Sequence, residues 1–219
     1  MRCTFLGISS FTFLALASTA MAAAPARLSV EVEGIAADQA HIPAKFALCQ
    51  PTPDGKSKGS NNVRPTIRWK GAPSTVHSYT VLVTDPDVPA SFDDAGKEGK
   101  TVKYDAPRQL FYHWALANIP VTTTAIEGGP SHTPPTLGTP AKGSLEKYVD
   151  VATQYGGPCP PWNDERVHSY HFTVYGLDVP HVELKPDATA EDVKKAIEGH
   201  IVAQGSRVGT YTLNAALAK

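Results

Sequence analysis

Neither sign of charge dominates the chain. Its 219 residues carry 20 Lys and Arg against 21 Asp and Glu, a formal net charge of −1. A nucleic-acid surface needs clustered cations to meet phosphates, so this balance removes the main argument for one. Charged residues make up only 19% and aromatics 8%, yet 42% of the chain is hydrophobic. That composition argues against wholesale disorder, and the length provides for one ordinary core. Cysteine is scarce, with three residues in all. No segment after residue 22 approaches the length of a membrane-spanning helix. The chain also lacks a Walker loop, a dinucleotide fingerprint, two His at helical metal-ligand spacing, an internal repeat and a heptad run.

Proline and glycine, by contrast, are plentiful at 19 and 17. They disfavour long helices and favour many strands joined by turns. Residues 1–22 stand apart as a secretory signal peptide: Arg2 is a thin positive start, Phe5 to Ala17 is apolar, and Ala20-Met21-Ala22 supplies small residues for cleavage, with Ala22-Ala23-Ala24 a near-tie. The expectation is one domain over residues 23–219, exported to the periplasm or secreted. Cleavage removes Cys3 and leaves Cys49 and Cys159. In an oxidising compartment these two can form one bridge; two separate buried thiols are the other reading.

Short extended segments follow. Leu28 to Val32 alternates as a half-buried strand, Thr66 to Trp69 is short, and Tyr79 to Thr84 is β-branched and central in character. Phe111 to Ile119, His168 to Leu177 and Val208 to Leu213 complete the set. With the Gly/Pro-rich connections between them they suggest a mainly β fold, an antiparallel β-sandwich. One segment reads as helix. Thr189 begins a capping-box-like start with Asp192 three residues on; Val193, Ile197 and Ile201 fall on one face, and Gly205 is a plausible stop.

Side chains two apart on a strand share a face. Tyr79, Val81, Val83 and Asp85 therefore share one, with Asp85 emerging where Pro86 halts the ladder. His113 shares a face with Ala115, Ala117 and Ile119, and the two alanines leave room above the sheet. His168, Tyr170, Phe172 and Val174 share another, with Ser169 pointing the opposite way. If the three strands are neighbours in register, Asp85, His113, His168 and Tyr170 converge on one small electropositive cleft. Two imidazoles and a phenol offer donors, and Asp85 can fix a tautomer. Gly156 and Gly157 beside Pro158, Pro160 and Pro161 let backbone N–H groups form an anion-binding concavity. Such a cleft suits a phosphate or carboxylate, and on this reading His168→Ala weakens binding without unfolding the domain.

Together, Asp85-Pro86-Asp87-Val88-Pro89, His113-Trp114-Ala115-Leu116-Ala117-Asn118-Ile119-Pro120, and Gly156-Gly157-Pro158-Cys159-Pro160-Pro161 leading to His168-Ser169-Tyr170-His171 resemble the phosphatidylethanolamine-binding protein family. The likeness is strongest to its bacterial, Raf-kinase-inhibitor-like branch, and it covers most of the chain beyond the leader. The resemblance implies a β-sandwich with a large central antiparallel sheet, one C-terminal helix, long Gly/Pro-rich loops, and a small pocket at one end. It implies non-catalytic binding of phosphate-containing ligands or phospholipid head groups by Asp85, His113, Gly157, Pro158, Pro160, His168 and Tyr170, with no cofactor and no metal. Ser169 departs from the family by standing where an Arg is common, the loop from Trp162 to Val167 is lengthened, and the long loop from Ser91 to Arg108 is placed to shape the pocket rim. Two other classes compete. One is an extracytoplasmic protein-interaction or inhibitor module. The other is a metal-dependent or hydrolytic enzyme, for which Ser169 is an awkward nucleophile on the far face from His168. Neither nucleic acid nor stable membrane insertion is expected.

Overall fold

The computed structural model describes residues 24–133, 135–144 and 154–218. The signal peptide expected over residues 1–22 lies outside the described residues. In chain order the elements are β1 (Ala26–Arg27), β2 (Ser29–Val32), β3 (Ala40–His41), β4 (Cys49–Pro51), β5 (Ser57–Gly59), β6 (Val63–Arg64), β7 (Ile67–Lys70), β8 (Ser78–Pro89), β9 (Arg108–Pro120), β10 (Ala125–Ile126), β11 (Gly129–Pro130), β12 (Thr139–Pro140), β13 (His168–Leu177), α1 (Ala190–Ile197) and β14 (Ile201–Tyr211). A seven-stranded sheet runs β1-β14-β13-β8-β9-β12, with β3 also on β14. Its long strands pair antiparallel, but β1 and β3 lie parallel to β14. The sheet is therefore mixed, not wholly antiparallel as expected. Between β1 and β3 the chain leaves to place β2 in a second, three-stranded sheet, β10-β7-β2, and then returns to the same edge.

Alternation explains the layers. Along β2 and β7, Val30, Val32, Ile67 and Trp69 are buried while Ser29, Glu31, Arg68 and Lys70 are exposed. Their buried faces join Val81, Val83, Leu116, Phe172 and Val174 of the large sheet in one core. On the sheet's other face, Ala190, Val193 and Ile197 of α1 meet Leu82, Ala115 and Ala117. The helix starts as its sequence predicts: the Thr189 side chain accepts from Asp192 N–H, and the Asp192 carboxylate accepts from Thr189 N–H.

Three local expectations fail, each for a physical reason. The helix ends at Ile197, because Gly199 turns the chain at φ +86°; Ile201 and Gly205 belong to β14, a longer strand than the one expected from Val208. Gly205 is needed there because β14 runs tight against the N-terminal segment: a Cβ would lie 2.2 Å from the Leu28 carbonyl oxygen. Pro86 does not end β8, which continues to Pro89 through a register shift between Asp85 and Val88. On β9, Val83 pairs with Trp114 and Thr84 with Tyr112. His113 is the extra residue of a β-bulge, and two successive side chains then face one side. Ala115 and Ala117 are accordingly turned to α1, not to the pocket.

Candidate functional site

Strands β8, β9 and β13 lie side by side, and their ends meet the loop before β13. There a cavity of about 430 Å³ is lined by Asp85, His113, Gly157, Pro160, His168 and Tyr170 from the sequence-predicted set. Leu48, Val88, Phe92, Phe111, Cys159 and Pro161 complete its wall. Phe92 is 41% exposed and marks the solvent side, whereas Asp85, His168 and Tyr170 are each 1% exposed and form the floor. Pro158 is not on the wall. Its carbonyl instead accepts from Leu48 and Cys49 N–H. Cys49 and Cys159 form a disulfide, so the wall loop is tied covalently to β4.

Backbone N–H groups of the glycines do not form the anticipated anion concavity. Gly156 N–H donates to the His113 carbonyl at 3.0 Å, and Gly157 N–H donates to Asn62 Oδ1 at 2.8 Å. A Cβ on Gly157 would stand 2.1 Å from the Phe46 carbonyl oxygen, so glycine is needed for close packing there and not for ligand approach.

His168 also differs from its expected role. Its Nδ1 contacts Asp85 Oδ2 at 2.7 Å and its Nε2 contacts Asp164 Oδ2 at 3.2 Å. Both ring nitrogens are occupied inside the protein. Burial alone would lower the imidazole's pKa, but Asp164 and Asp85 outweigh it and raise it to about 9. Burial likewise pushes Asp85 up, yet His113 and His168 together hold it well below the usual carboxylate range. Asp164 behaves the same way: burial opposes its charge, and His168, Arg108 and the Arg166 N–H prevail.

Arg108 donates from Nη1 to Asp164 Oδ2 at 2.6 Å and from Nη2 to Oδ1 at 3.0 Å. Two carboxylates are thus balanced by an imidazolium and a guanidinium, and the cleft is not electropositive as expected. Asp87 stands just outside. Its Oδ2 accepts from Ser169 N–H at 2.9 Å and Ser169 O–H at 2.5 Å, and its Oδ1 faces Arg166 Nη1 at 3.3 Å. Arg166 therefore sets a guanidinium against Asp87.

Two polar atoms on the floor have no hydrogen-bond partner among the described residues: His113 Nε2 and the Tyr170 hydroxyl. His113 Nδ1–H donates to the Gly156 carbonyl at 2.8 Å, which turns Nε2 the other way. Nε2 lies 3.8 Å from Asp85 Oδ2, beyond a hydrogen bond. Burial, with the Asp85 charge close by, raises the Tyr170 pKa well above its ordinary value, so the phenol remains an O–H donor.

The lengthened loop supplies what sequence reading missed. Asn163 Nδ2 donates to the Asp94 and Lys100 carbonyls, and its Oδ1 accepts from Gly96 N–H, which pins the long rim loop that carries Phe92. Asp164, Arg108 and Asn163 carried no periodic signal: Arg108 reaches Asp164 across 56 residues, Asn163 reaches Asp94 across 69, and Asp164, only four residues before His168, lies on an irregular loop. Among the described residues no three His, Cys, Asp or Glu side chains are arranged to hold a metal ion. Residues 55–59 do spell Gly-Lys-Ser-Lys-Gly, but Ser57 sits on the exposed strand β5 of a hairpin, not on a strand-to-helix elbow.

Residues 34–212 match the phosphatidylethanolamine-binding protein family. The chain belongs to that family. Its relatives include a UPF0098 protein of Methanothermobacter thermautotrophicus, 32% identical over 175 residues that cover 80% of this chain and 92% of the relative. Another is the Pyrococcus abyssi UPF0098 protein, 32% identical over 190 residues that cover 83% of this chain and 84% of that one. Two solved structures share the fold of this phosphatidylethanolamine-binding protein family member. Escherichia coli YbcL superposes with a TM-score of 0.63 at 20% identity, covering 84% of this chain and 98% of YbcL. A phosphatidylethanolamine-binding protein homologue of Chlamydia trachomatis gives 0.61 at 22% identity, covering 84% and 97%.

Proposed function

We propose that the protein binds, without turnover, small ligands bearing a phosphate or carboxylate, including phospholipid head groups, in the cavity between β8, β9 and β13. One observation carries this reading: His113 Nε2 and the Tyr170 hydroxyl are buried, without a hydrogen-bond partner among the described residues, and on the floor of an apolar-walled cavity. A buried polar group without a partner is costly, and a ligand oxygen accepting from both removes that cost. His113 donates when its ring is protonated, and His168 offsets the Asp85 charge that would otherwise repel an anion. Leu48, Val88, Phe92 and Phe111 offer apolar surface to the remainder of an amphiphilic ligand. Export to the periplasm or medium belongs to the same proposal, supported by the leader-like residues 1–22 and by the Cys49–Cys159 disulfide. Among the described residues no helix is long and apolar enough to cross a membrane.

The test is an NMR titration of the folded protein with inorganic phosphate, with phosphoethanolamine, and with vesicles containing phosphatidylethanolamine. The expected result is a saturable shift of the His113 ring signals and of Tyr170. A response to the vesicles alone would assign the site to lipid, and flat traces with all three probes would end the proposal.

A further inference from the structure

His168 is 1% exposed and faces a carboxylate at each ring nitrogen, Asp85 through Nδ1 and Asp164 through Nε2. Only the imidazolium donates from both nitrogens at once. Asp164 is itself held from several sides. Arg108 grips it with two N–H groups, Arg166 N–H donates to its Oδ1 at 2.9 Å, and Asn214 Nδ2 donates to its carbonyl at 2.8 Å. The Arg108 guanidinium is in turn fixed by the carbonyls of Asp87, Lys103 and Ala106. The result is a chain of alternating charge, Arg108, Asp164, His168, Asp85, ending at the carboxylate oxygen that stands 3.8 Å from His113 Nε2.

We infer that Asp164, locked by Arg108, is a positioning residue of the pocket: it holds His168 in the doubly donating form, which orients and neutralises Asp85 and leaves His113 and Tyr170 as the two donors that touch the ligand's acidic group. This rests on the anion-site reading above. It also names the specificity device. Arg108 and His168 cancel the charges of Asp164 and Asp85 before the ligand arrives, so its acidic group meets the Tyr170 hydroxyl and the single positive charge of a protonated His113.

The groups around His168 come from every packed element. Asp85 comes from β8, His113 and Arg108 from β9, and Asp164 and Arg166 from the preceding loop. Tyr170 lies on the same strand as His168, with ring centroids 6.4 Å apart, and Tyr211 of β14 is the residue paired with His168. Asp87 sits beyond them on Ser169 and Arg166. Among these, Asp164 and Asp85 are the groups that raise the imidazole's pKa against its burial.

The experiment follows the His168 ring nitrogens by NMR in the folded protein, with inorganic phosphate as the probe. Without phosphate the wild-type ring stays an imidazolium through neutrality. In Asp164→Asn its titration midpoint falls by about three pH units, to just below neutrality, and phosphate affinity at neutral pH drops about tenfold. At about pH 6 part of the affinity lost relative to wild type at the same pH is restored, because His168 of the variant regains its proton, and the ratio cancels any change common to both proteins. A merely structural loss would weaken binding equally at both pH values. Asp164→Asn leaves Arg108 without its carboxylate, so the double variant Arg108→Gln with Asp164→Asn, which removes both charges, is measured beside it. An unmoved His168 midpoint in both variants, or a neutral ring in the wild type at neutral pH, overturns the positioning role. Wild-type protein that ignores phosphate while the midpoint still moves overturns the anion site alone.

Discussion

Tyr170 and His168 are two residues apart on β13 and equally buried, yet their side chains stand in opposite situations. The Tyr170 hydroxyl has no partner among the described residues, and an unpaired buried hydroxyl costs about 1–3 kcal/mol in a folded protein. Tyr170→Phe removes that cost. It is expected to melt at the wild-type temperature or slightly higher while binding phosphate several-fold more weakly, as read by thermal denaturation and titration. A clear loss of stability would show that the hydroxyl is satisfied within the fold. His168 bridges two carboxylates. Truncating it to Ala leaves Asp85 facing an unpaired site, and breaking a buried charge pair costs about 3–5 kcal/mol. Contrary to the expectation from sequence, His168→Ala should register first in a urea denaturation curve and only then in binding. Retention of full stability would mean the bridge is not formed.

Three elements bring the site together. The antiparallel pairing of β13 with β8, Phe172 opposite Val83 and His171 opposite Thr84, sets the end of β13 beside the end of β8. The bulge on β9 turns His113 toward the same place. The loop from Tyr155 to Pro161 closes the wall; it is stitched by Tyr155 O–H to the Phe46 carbonyl at 3.0 Å and by Asn62 at both Tyr155 and Gly157. Gly157→Ala pushes a methyl group into the Phe46 carbonyl and the Ala47 backbone, which cannot yield as a side chain does. A loss of about 1–3 kcal/mol is expected, together with weakened ligand binding as the wall shifts. Gly59→Ala is the matched control, because nothing lies within 4 Å of its added Cβ, and it should stay within about 0.5 kcal/mol of wild type. Equal stability of the two variants would rule out the tight contact at Gly157.

For the molecule as a whole, the buried charge cluster predicts how stability changes with pH. His168 has its folded pKa raised from 6.5 to about 9, so its contribution is complete below about 6.5 and is lost as pH rises through 9. At about 1.4 kcal/mol per unit the upper bound is roughly 3 kcal/mol between neutrality and about pH 10. Asp85 and Asp164 are shifted down, so their contribution is lost on the acid side, as pH falls through their depressed values. Urea midpoints measured across this range should fall at both ends, and a flat alkaline limb would exclude the bridged imidazolium.

Much of this architecture is legible in one dimension. Period-two alternation marks β2, β7 and β13, Thr189 and Asp192 announce the helix start, and the chemical identities of Asp85, His113, His168 and Tyr170 mark the three strands that line the cavity. These are local properties, carried by neighbours a few residues apart, and the sequence by itself determined them. Only the tertiary structure decided how those groups are used. A single bulge reverses the face of Ala115 and Ala117. The Asp164 carboxylate occupies the nitrogen His168 was expected to offer, and Asn62 occupies the N–H of Gly157. The bulge and the Asn62 contact depend on pairing between segments far apart along the chain. The Asp164 contact spans only four residues, but the loop that makes it is held by the distant Arg108 and Asn214. No local pattern records which partner reaches a buried polar group first.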